Sequence, residues 1–321
     1  MLSLPDFKEK QVLFVRAERG ASCRLNFEND NLVFTKDDTV INRASAHKVF
    51  AVFIMGDLSI TTGLMREGRS HGVSFFFLKH NFEAYAAINS ATEGHYVLRQ
   101  RQYEVTAERE LAMSRMIINN KLQNQCSLLT EKSIGGGLAK DQQEIAAAIS
   151  RTNNQDSLRG LEGNAARRFF EEYFAPLPWF RRMPRAKEDV PNLLLDIGYS
   201  MLFNITDSLL RLLGFDTYKG FYHKLFFQRR SLACDLVEPL RCIIDRQLVK
   251  AHNLKQIDSH DFKFINGRYQ LPYRHSAKYA ELFLTAIMER KEEIYAFLHQ
   301  FYRHILNDDG VVDFPTFIIN K

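Results

Sequence analysis

The hydrophobic period of this 321-residue chain changes once, shortly after residue 90, and that change limits the folds open to it. The runs with strand character before this point are 11–16, 23–27, 32–35, 48–55 and 73–78. Asn29, Asp30 and Asn31 are turn-forming residues between two of these runs, so they predict a β-hairpin. Residues 61–70 have a helical pattern. The sequence therefore predicts a small, mostly β N-terminal domain with one short helix.

From Tyr96 onward the pattern is helical. The predicted helical stretches are 99–132, 145–149, 158–174, 192–213, 231–250 and 276–305. Pro239 lies inside one of them and should kink it. A β block followed by an α block favours segregated layers over an alternating α/β sheet. We predict an α+β protein, with a mostly-β domain over 1–92 and a larger all-α domain over 93–321.

Composition limits the class of protein more than its function. Apolar residues make up 45% and charged residues 25%, and the net charge is only +5, so charge alone does not indicate a nucleic-acid partner. None of the four cysteines has the C-x-x-C spacing of common zinc sites. We find no signal peptide and no apolar stretch of about 18 residues that could span a bilayer. The expected location is the cytoplasm, with no membrane association.

Three places combine metal-binding side chains with basic neighbours. Glu162 lies close to two glycines that shield its carboxylate little, and His223 follows an aromatic pair. Asp235 and Glu238 are three residues apart, which places both on one helix face beside apolar residues. Buried acids of this kind need a cation. Two carboxylates and one imidazole would suit Mg²⁺ or Mn²⁺ in phosphoryl chemistry.

Each of these residues also has an ordinary structural explanation. A glutamate such as Glu162 is commonly a surface or capping residue, and a histidine such as His223 is commonly a packed side chain with its hydrogen bonds satisfied. Acids with the spacing of Asp235 and Glu238 commonly face water. Spacing alone therefore leaves both interpretations open.

Five motifs at these positions resemble one known family. They are LRQRQY from Leu98, LRGLEGNAAR with Glu162, PNLLLDIGYSMLFN from Pro191, GFDTYKGFYH ending at His223, and RRSLACDLVEPLR with Asp235 and Glu238. Together, over residues 10–275 and in the same order, they resemble the CRISPR-associated integrase that inserts new spacers into the repeat array. Asp196 departs from the family pattern, which has a smaller or uncharged residue there.

The resemblance implies the roles of the site residues. Glu162, His223 and Glu238 would bind the divalent metal, Mg²⁺ or Mn²⁺, and Asp235 would be a further acid of the catalytic group. The implied reaction is the attack of a DNA 3′-hydroxyl on a phosphodiester of the repeat, with endonuclease activity when water attacks instead. The alternatives are a non-catalytic DNA-binding scaffold of the same fold and a small-molecule metallohydrolase.

The resemblance also implies partners: double-stranded DNA, a second copy of the chain bound through the N-terminal domain, and a small ferredoxin-fold protein of CRISPR adaptation. Basic residues in or beside the motifs are predicted to contact DNA phosphates. They are Arg99, Arg159, Arg167, Lys224, Arg229, Arg230 and Arg241. For each of them, an ion pair on the protein surface is the alternative.

Overall fold

The computed structural model of the protein describes residues 7–18, 20–80, 82–90, 95–133, 137–307 and 313–319. The N-terminal part contains two sheets and the helix α1 (Thr62–Ser70). Its strands are β1 (Gln11–Arg16), β2 (Cys23–Glu28), β3 (Asn31–Lys36), β4 (Thr39–Ser45), β5 (Val49–Met55), β6 (Ser74–Leu78) and β7 (Ala84–Ile88). The strand order is β1-β5-β6-β7 in one sheet and β2-β3-β4 in the other. β5 pairs in parallel with β1 and β6, and the other pairings are antiparallel.

The predicted hairpin is confirmed. β2 and β3 pair up to Glu28 and Asn31, and the two turn residues Asn29 and Asp30 have φ values of 47° and 57°. Positive φ at both central positions is the geometry that matches the twist of the flanking strands. β4 and β7 were missed in the sequence, because five of the seven β4 residues are exposed and leave no alternation of apolar residues.

The C-terminal part is helical, which confirms the predicted fold class. Its helices are α2 (Tyr96–Tyr103), α3 (Ala107–Glu131), α4 (Gln142–Arg151), α5 (Gln155–Tyr173), α6 (Val190–Leu212), α7 (Ser231–Val237), α8 (Cys242–Asn253), α9 (Ser276–Glu289) and α10 (Lys291–Leu306). A short hairpin of β8 (Lys263–Ile265) and β9 (Arg268–Gln270) lies among them, so the domain is predominantly rather than purely α.

Two predicted helices are each split in the structure. The stretch 99–132 breaks before Thr106, whose hydroxyl accepts a hydrogen bond from the Arg109 amide and starts α3 as a new helix. The stretch 276–305 breaks at Arg290, between α9 and α10. The predicted kink at Pro239 is confirmed, since a 3₁₀ turn at Glu238–Leu240 separates α7 from α8.

Helix α6 lies at the centre of the helical domain. Asp189 caps it by accepting a hydrogen bond from the Asn192 amide at 2.7 Å. The helix is long and apolar enough to cross a bilayer, which corrects the expectation that no such stretch exists. However, 83% of its most apolar window is buried against the rest of the protein, as in a core helix.

The two parts share one continuous apolar core. It runs from the β5 side chains Phe50 and Phe53 to the helices around α6. Polar contacts cross the same boundary, where Arg16 donates to the Tyr273 carbonyl at 3.2 Å and the Tyr273 hydroxyl donates to the Met55 carbonyl at 3.0 Å. The β sheet therefore supports the helical domain instead of being joined to it only by a linker.

The segment 313–319 packs along α3. The buried Asn120 side chain donates to the Phe317 carbonyl at 2.7 Å and accepts from the Phe317 amide at 2.9 Å. Asn124, one turn further along α3, accepts from the Ile319 amide and donates to the Pro239 carbonyl at 3.1 Å. Asn124 thus links this segment to the 3₁₀ turn that begins at Glu238.

Candidate active site

Glu162, His223 and Glu238 come from three different elements of the helical domain. Glu162 lies in the second turn of α5, which begins at the N-cap Asn154. His223 lies in the loop between α6 and α7, and Glu238 begins the 3₁₀ turn after α7. Glu162 and Glu238 line a cleft of about 1680 Å³. Eight arginines and two lysines line this cleft against six carboxylates, so its walls are basic.

The two glutamates converge on one cation, the ammonium of Lys121 on α3. Lys121 Nζ donates a hydrogen bond to Glu162 Oε1 and lies 2.7 Å from Glu238 Oε2. The Lys121 side chain is 11% exposed, and those of Glu162 and Glu238 are 22% and 7% exposed. Burial alone would lower the pKa of Lys121, but the two carboxylates outweigh it and raise that pKa. The pair therefore already forms a binding site for a positive charge.

Glu238 is held in its ionised form. Burial would raise its pKa, but the charges of Arg241 and Lys121 outweigh burial and lower the pKa of Glu238 to about 2. Arg241 lies 2.9 Å from Glu238 Oε1 and stacks over the Tyr199 ring at 4.6 Å. Although Glu238 Oε2 lies within ion-pair distance of Lys121, its alignment does not satisfy hydrogen-bond geometry. The buried Oε2 atom of Glu238 therefore has weaker hydrogen bonding than its Oε1 atom.

Asp235 positions the loop and the side chain of His223. Its fully buried carboxylate accepts hydrogen bonds from the backbone amides of Phe221, Tyr222 and His223 at 2.6–3.0 Å. The same carboxylate lies 2.7 Å from His223 Nδ1. Because an ionised carboxylate only accepts, Nδ1 donates its hydrogen to Asp235, which leaves Nε2 as the ring nitrogen that can meet another partner. These contacts give Asp235 a positioning role.

Gly220 permits this arrangement. A Cβ at Gly220 would lie 2.6 Å from the Ser231 carbonyl carbon and 2.7 Å from Asp235 Oδ2. Both distances are shorter than real Cβ contacts, so any side chain here would push the loop away from α7. The loop can therefore approach Asp235 closely enough to present successive amides to one carboxylate.

We tested whether these residues suit a divalent ion. Among the described residues, no group of three or more His, Cys, Asp or Glu side chains is arranged closely enough to form a ready metal cluster. The Lys121 ammonium instead lies between the two glutamates. His223 is not among the residues that line the cleft, whereas Glu162 and Glu238 are. Two carboxylates and a neutral imidazole nitrogen are the donor set of Mn²⁺ or Mg²⁺, and the fit requires Lys121 to move aside.

Of the basic residues predicted to contact DNA, Arg167, Arg229, Arg230 and Arg241 line the cleft. Arg230 and Arg241 are also paired with buried carboxylates, those of Asp207 and Glu238. The other three lie outside the lining.

Those three have local contacts of their own. Arg99 donates to the Gly214 carbonyl at 3.1 Å. Arg159 and Lys224 both pair with the exposed Asp156, at 2.6 Å and 3.7 Å. Arg159 also donates to the Tyr222 carbonyl at 3.3 Å, next to His223. The predicted DNA contacts remain predictions for all seven residues.

Sequence reasoning missed several residues of the site. Lys121 is the most important, and the signal for it was a lysine in the apolar register of α3, four residues after Ile117 and seven before Leu128. Asp245 was missed as well: burial raises its pKa to about 7, and it accepts a hydrogen bond from Tyr199. Asp196, which the sequence had singled out, lines the cleft and forms an ion pair with Arg182 at 2.6 Å.

Comparison with known proteins decides the family. The family model described as CRISPR associated protein Cas1 matches residues 19–285. The chain is a member of the Cas1 family. A relative described as a CRISPR-associated endonuclease Cas1, from Thermodesulfovibrio yellowstonii, is 28% identical over 225 residues, which cover 66% of this chain and 71% of the relative. The resemblance predicted from the five motifs is confirmed.

Solved structures have the same fold. A casposase bound to integration product has a TM-score of 0.80 at 17% identity, covering 95% of this Cas1 chain and 93% of the casposase. A chain of a Cas6-RT-Cas1–Cas2 complex has a TM-score of 0.78 at 22% identity. That match covers 98% of this chain but 36% of the longer one. At these identities the likeness shows the fold alone.

Proposed function

We propose that this Cas1 protein is a divalent-metal-dependent DNA integrase of CRISPR adaptation, with endonuclease activity when water replaces the DNA nucleophile. The observation that carries the proposal is the convergence of Glu162 and Glu238 on one positive charge inside a basic cleft. Membership of the Cas1 family and the casposase-like fold support it. A basic cleft fits a phosphate backbone better than a small metabolite, which disfavours a small-molecule metallohydrolase.

The residues have distinct proposed roles. Glu162, Glu238 and His223 Nε2 would hold Mg²⁺ or Mn²⁺, which supplies polarisation of a phosphoryl oxygen and activation of the attacking hydroxyl. Asp235 fixes the tautomer and direction of His223, and Arg241 keeps Glu238 ionised and in place. Arg167 and Arg229 in the cleft would neutralise the phosphates beside the scissile bond. The structure gives less support to phosphate contacts by the other basic residues, Arg99, Arg159, Lys224 and Arg230.

We further propose double-stranded DNA, a second copy of the chain and a small ferredoxin-fold protein as partners. A solved complex that contains Cas1 and Cas2 supports the protein partner. Exposed apolar residues on the N-terminal sheets, Val40, Ile41 and Tyr85 at 48%, 57% and 61%, support a contact surface there for the homodimer.

The proposed domain limits are 1–92 and 93–321. β7 ends at Ile88 and α2 begins at Tyr96, which supports a boundary between them. A cytoplasmic location is supported by the thiols of Cys23, Cys126, Cys234 and Cys242, which are all free.

The test is a strand-transfer assay in Mn²⁺, with a 3′-hydroxyl DNA duplex and a supercoiled plasmid that carries a repeat. We expect the unaltered protein, with or without its small partner, to join the two DNAs. Glu162→Gln and His223→Ala should abolish product while DNA binding persists. Glu171→Gln is the matched control, because Glu171 lies on the same helix and lines the same cleft.

A non-catalytic DNA-binding scaffold of the same fold is the alternative. It predicts DNA binding by the unaltered protein but no product in any divalent metal. The intact set of Glu162, His223 and Glu238, together with the buried contacts that orient it, favours the enzyme.

A further inference from the structure

The two carboxylate oxygens of Glu238 meet different cations. Nε and Nη2 of Arg241 both lie close to Oε1, at 3.0 Å and 2.9 Å. Oε2 lies 2.7 Å from the Lys121 ammonium, without hydrogen-bond alignment. An arginine and a carboxylate commonly prefer a fork, in which two N–H groups meet the two oxygens. A fork would cover both oxygens, so the observed contact requires a restraint on Arg241.

Tyr199 on α6 supplies this restraint. The Arg241 guanidinium lies over the Tyr199 ring, with its central carbon 4.6 Å from the ring centre. The face of an aromatic ring attracts a cation, and the attraction is stronger where water is excluded. The ring is buried, and its hydroxyl donates a hydrogen bond to the buried carboxylate of Asp245. A ring fixed in this way offers the guanidinium one place to lie.

A second arginine near the ring has acceptors of its own. The Arg182 guanidinium lies over the Tyr199 ring at 5.6 Å. It donates hydrogen bonds to Asn192 Oδ1 at 2.8 Å and to Asp196 Oδ1 at 2.6 Å. Both acceptors belong to α6, as does the tyrosine. Arg182 is therefore held on α6, and Oε1 of Glu238 is left to the other arginine.

We propose that Tyr199 is a positioning residue, whose ring holds Arg241 on Oε1 of Glu238 and so keeps Oε2 open to a cation in the site. Without the ring, Arg241 would turn onto both oxygens and compete with a metal ion for Oε2. A tyrosine that only filled the core would stabilise the fold and leave the affinity for metal unchanged. This inference rests on the proposed function, because it explains how one ligand of the proposed metal site stays available.

The test compares Mn²⁺ binding by variants of the full chain in calorimetric titration. Tyr199→Leu removes the ring and should weaken Mn²⁺ binding at least about tenfold. Tyr199→Phe keeps the ring and should bind Mn²⁺ nearly as tightly as the unaltered protein. Tyr199→Met replaces the leucine variant if thermal unfolding in EDTA shows that the latter is not folded, and the same loss is expected.

Tyr279→Leu is the matched control for the loss of a buried tyrosine. Tyr279 on α9 is buried, and its hydroxyl donates to Asp261 Oδ2 at 2.9 Å. The Lys278 ammonium lies over its ring at 5.1 Å. The control should therefore lose stability in EDTA, as Tyr199→Leu does, but keep its affinity for Mn²⁺. An equal loss of Mn²⁺ affinity in both variants would overturn the inference.

Two further measurements test whether Tyr199 acts through Arg241. Lysine cannot form the fork, so Tyr199→Leu should cause no further loss of Mn²⁺ affinity in an Arg241→Lys background. A crystal structure of metal-free Tyr199→Leu should show Arg241 bound to both oxygens of Glu238. An arginine that stays on Oε1 alone, or an unchanged Mn²⁺ affinity of Tyr199→Leu, would overturn the inference. Failure of the unaltered protein to bind Mn²⁺ would count against the proposed function, whereas the crystal structure would still decide the role of Tyr199.

Discussion

Replacing Lys121 by methionine should make metal binding tighter while making the metal-free protein less stable. Methionine keeps the length and apolar stem of the side chain but removes the charge between Glu162 and Glu238. In the structure that charge occupies the space where the two carboxylates would hold a metal ion. Lys121 and the metal therefore compete for the same oxygens, and removing one competitor favours the other.

The contacts of Lys121 set the size of the effect. Breaking a buried ion pair by removing one partner costs about 3–5 kcal/mol, and Glu238 would lose one of the two cations that keep it ionised. That loss applies to the metal-free protein. Each hydrogen bond to a charged group contributes about 1.5–3 kcal/mol. Metal binding must displace at least one such contact in the unaltered protein, so Lys121→Met should tighten Mn²⁺ binding by a factor of about ten or more.

Calorimetric titration with Mn²⁺ and thermal unfolding in EDTA and in Mn²⁺ measure both effects. Lys219→Met is the matched control, because Lys219 is similarly buried and pairs with Glu110 outside the site. The control should lose stability equally in EDTA and Mn²⁺, with unchanged metal affinity. Weaker or unchanged Mn²⁺ binding by Lys121→Met would refute the idea that the lysine and the metal share one place.

Other predictions concern the groups behind the site. Asp235→Asn should lower Mn²⁺ affinity by about 10–100-fold, measured by titration, because His223 loses the partner that orients it; an unchanged affinity would contradict that role. Gly198→Ala should destabilise the protein by about 1–3 kcal/mol in denaturant unfolding, since the added Cβ would lie 2.5 Å from Ile244 Cγ2; a gain in stability would contradict the tight packing. Asp245, with its pKa raised from 3.8 to about 7, favours folding at low pH and loses that contribution as pH rises through 7. The unfolding free energy of the unaltered protein should therefore fall by up to about 4 kcal/mol between pH 4 and pH 8. Asp245→Asn should remove this fall, and a variant with the same pH profile as the unaltered protein would contradict the role of Asp245.

The sequence predicted the parts of this fold that leave a local pattern. The turn at Asn29 and Asp30 has a residue signature, and so does the kink at Pro239. The exposed strand β4 has no such pattern, because its register depends on pairing with β3 rather than on burial. The break before Thr106 went unseen for a related reason: a single capping hydrogen bond interrupts an otherwise continuous helical composition.

In the candidate site, too, some residues could be predicted from the sequence and others could not. Glu162, His223 and Glu238 were predicted from ordered motifs, not from spacing, which left an ordinary structural explanation open for each. Lys121 could not be assigned a partner from the sequence, because it meets Glu162 and Glu238 only when α3, α5 and the turn after α7 pack together. The direction of His223 depends equally on the approach of the loop to α7, which Gly220 allows.

The docking of residues 313–319 on α3 has a consequence for local opening of the structure. The Asn124 side chain accepts from the Ile319 amide and donates to the Pro239 carbonyl, so one side chain anchors both this segment and the turn that begins at Glu238. Parts of a protein that share their anchoring contacts open together as one cooperative unit. Detachment of residues 313–319 should therefore also loosen the turn that holds Glu238, and amide hydrogen exchange in the two places should respond to Asn124→Ala together.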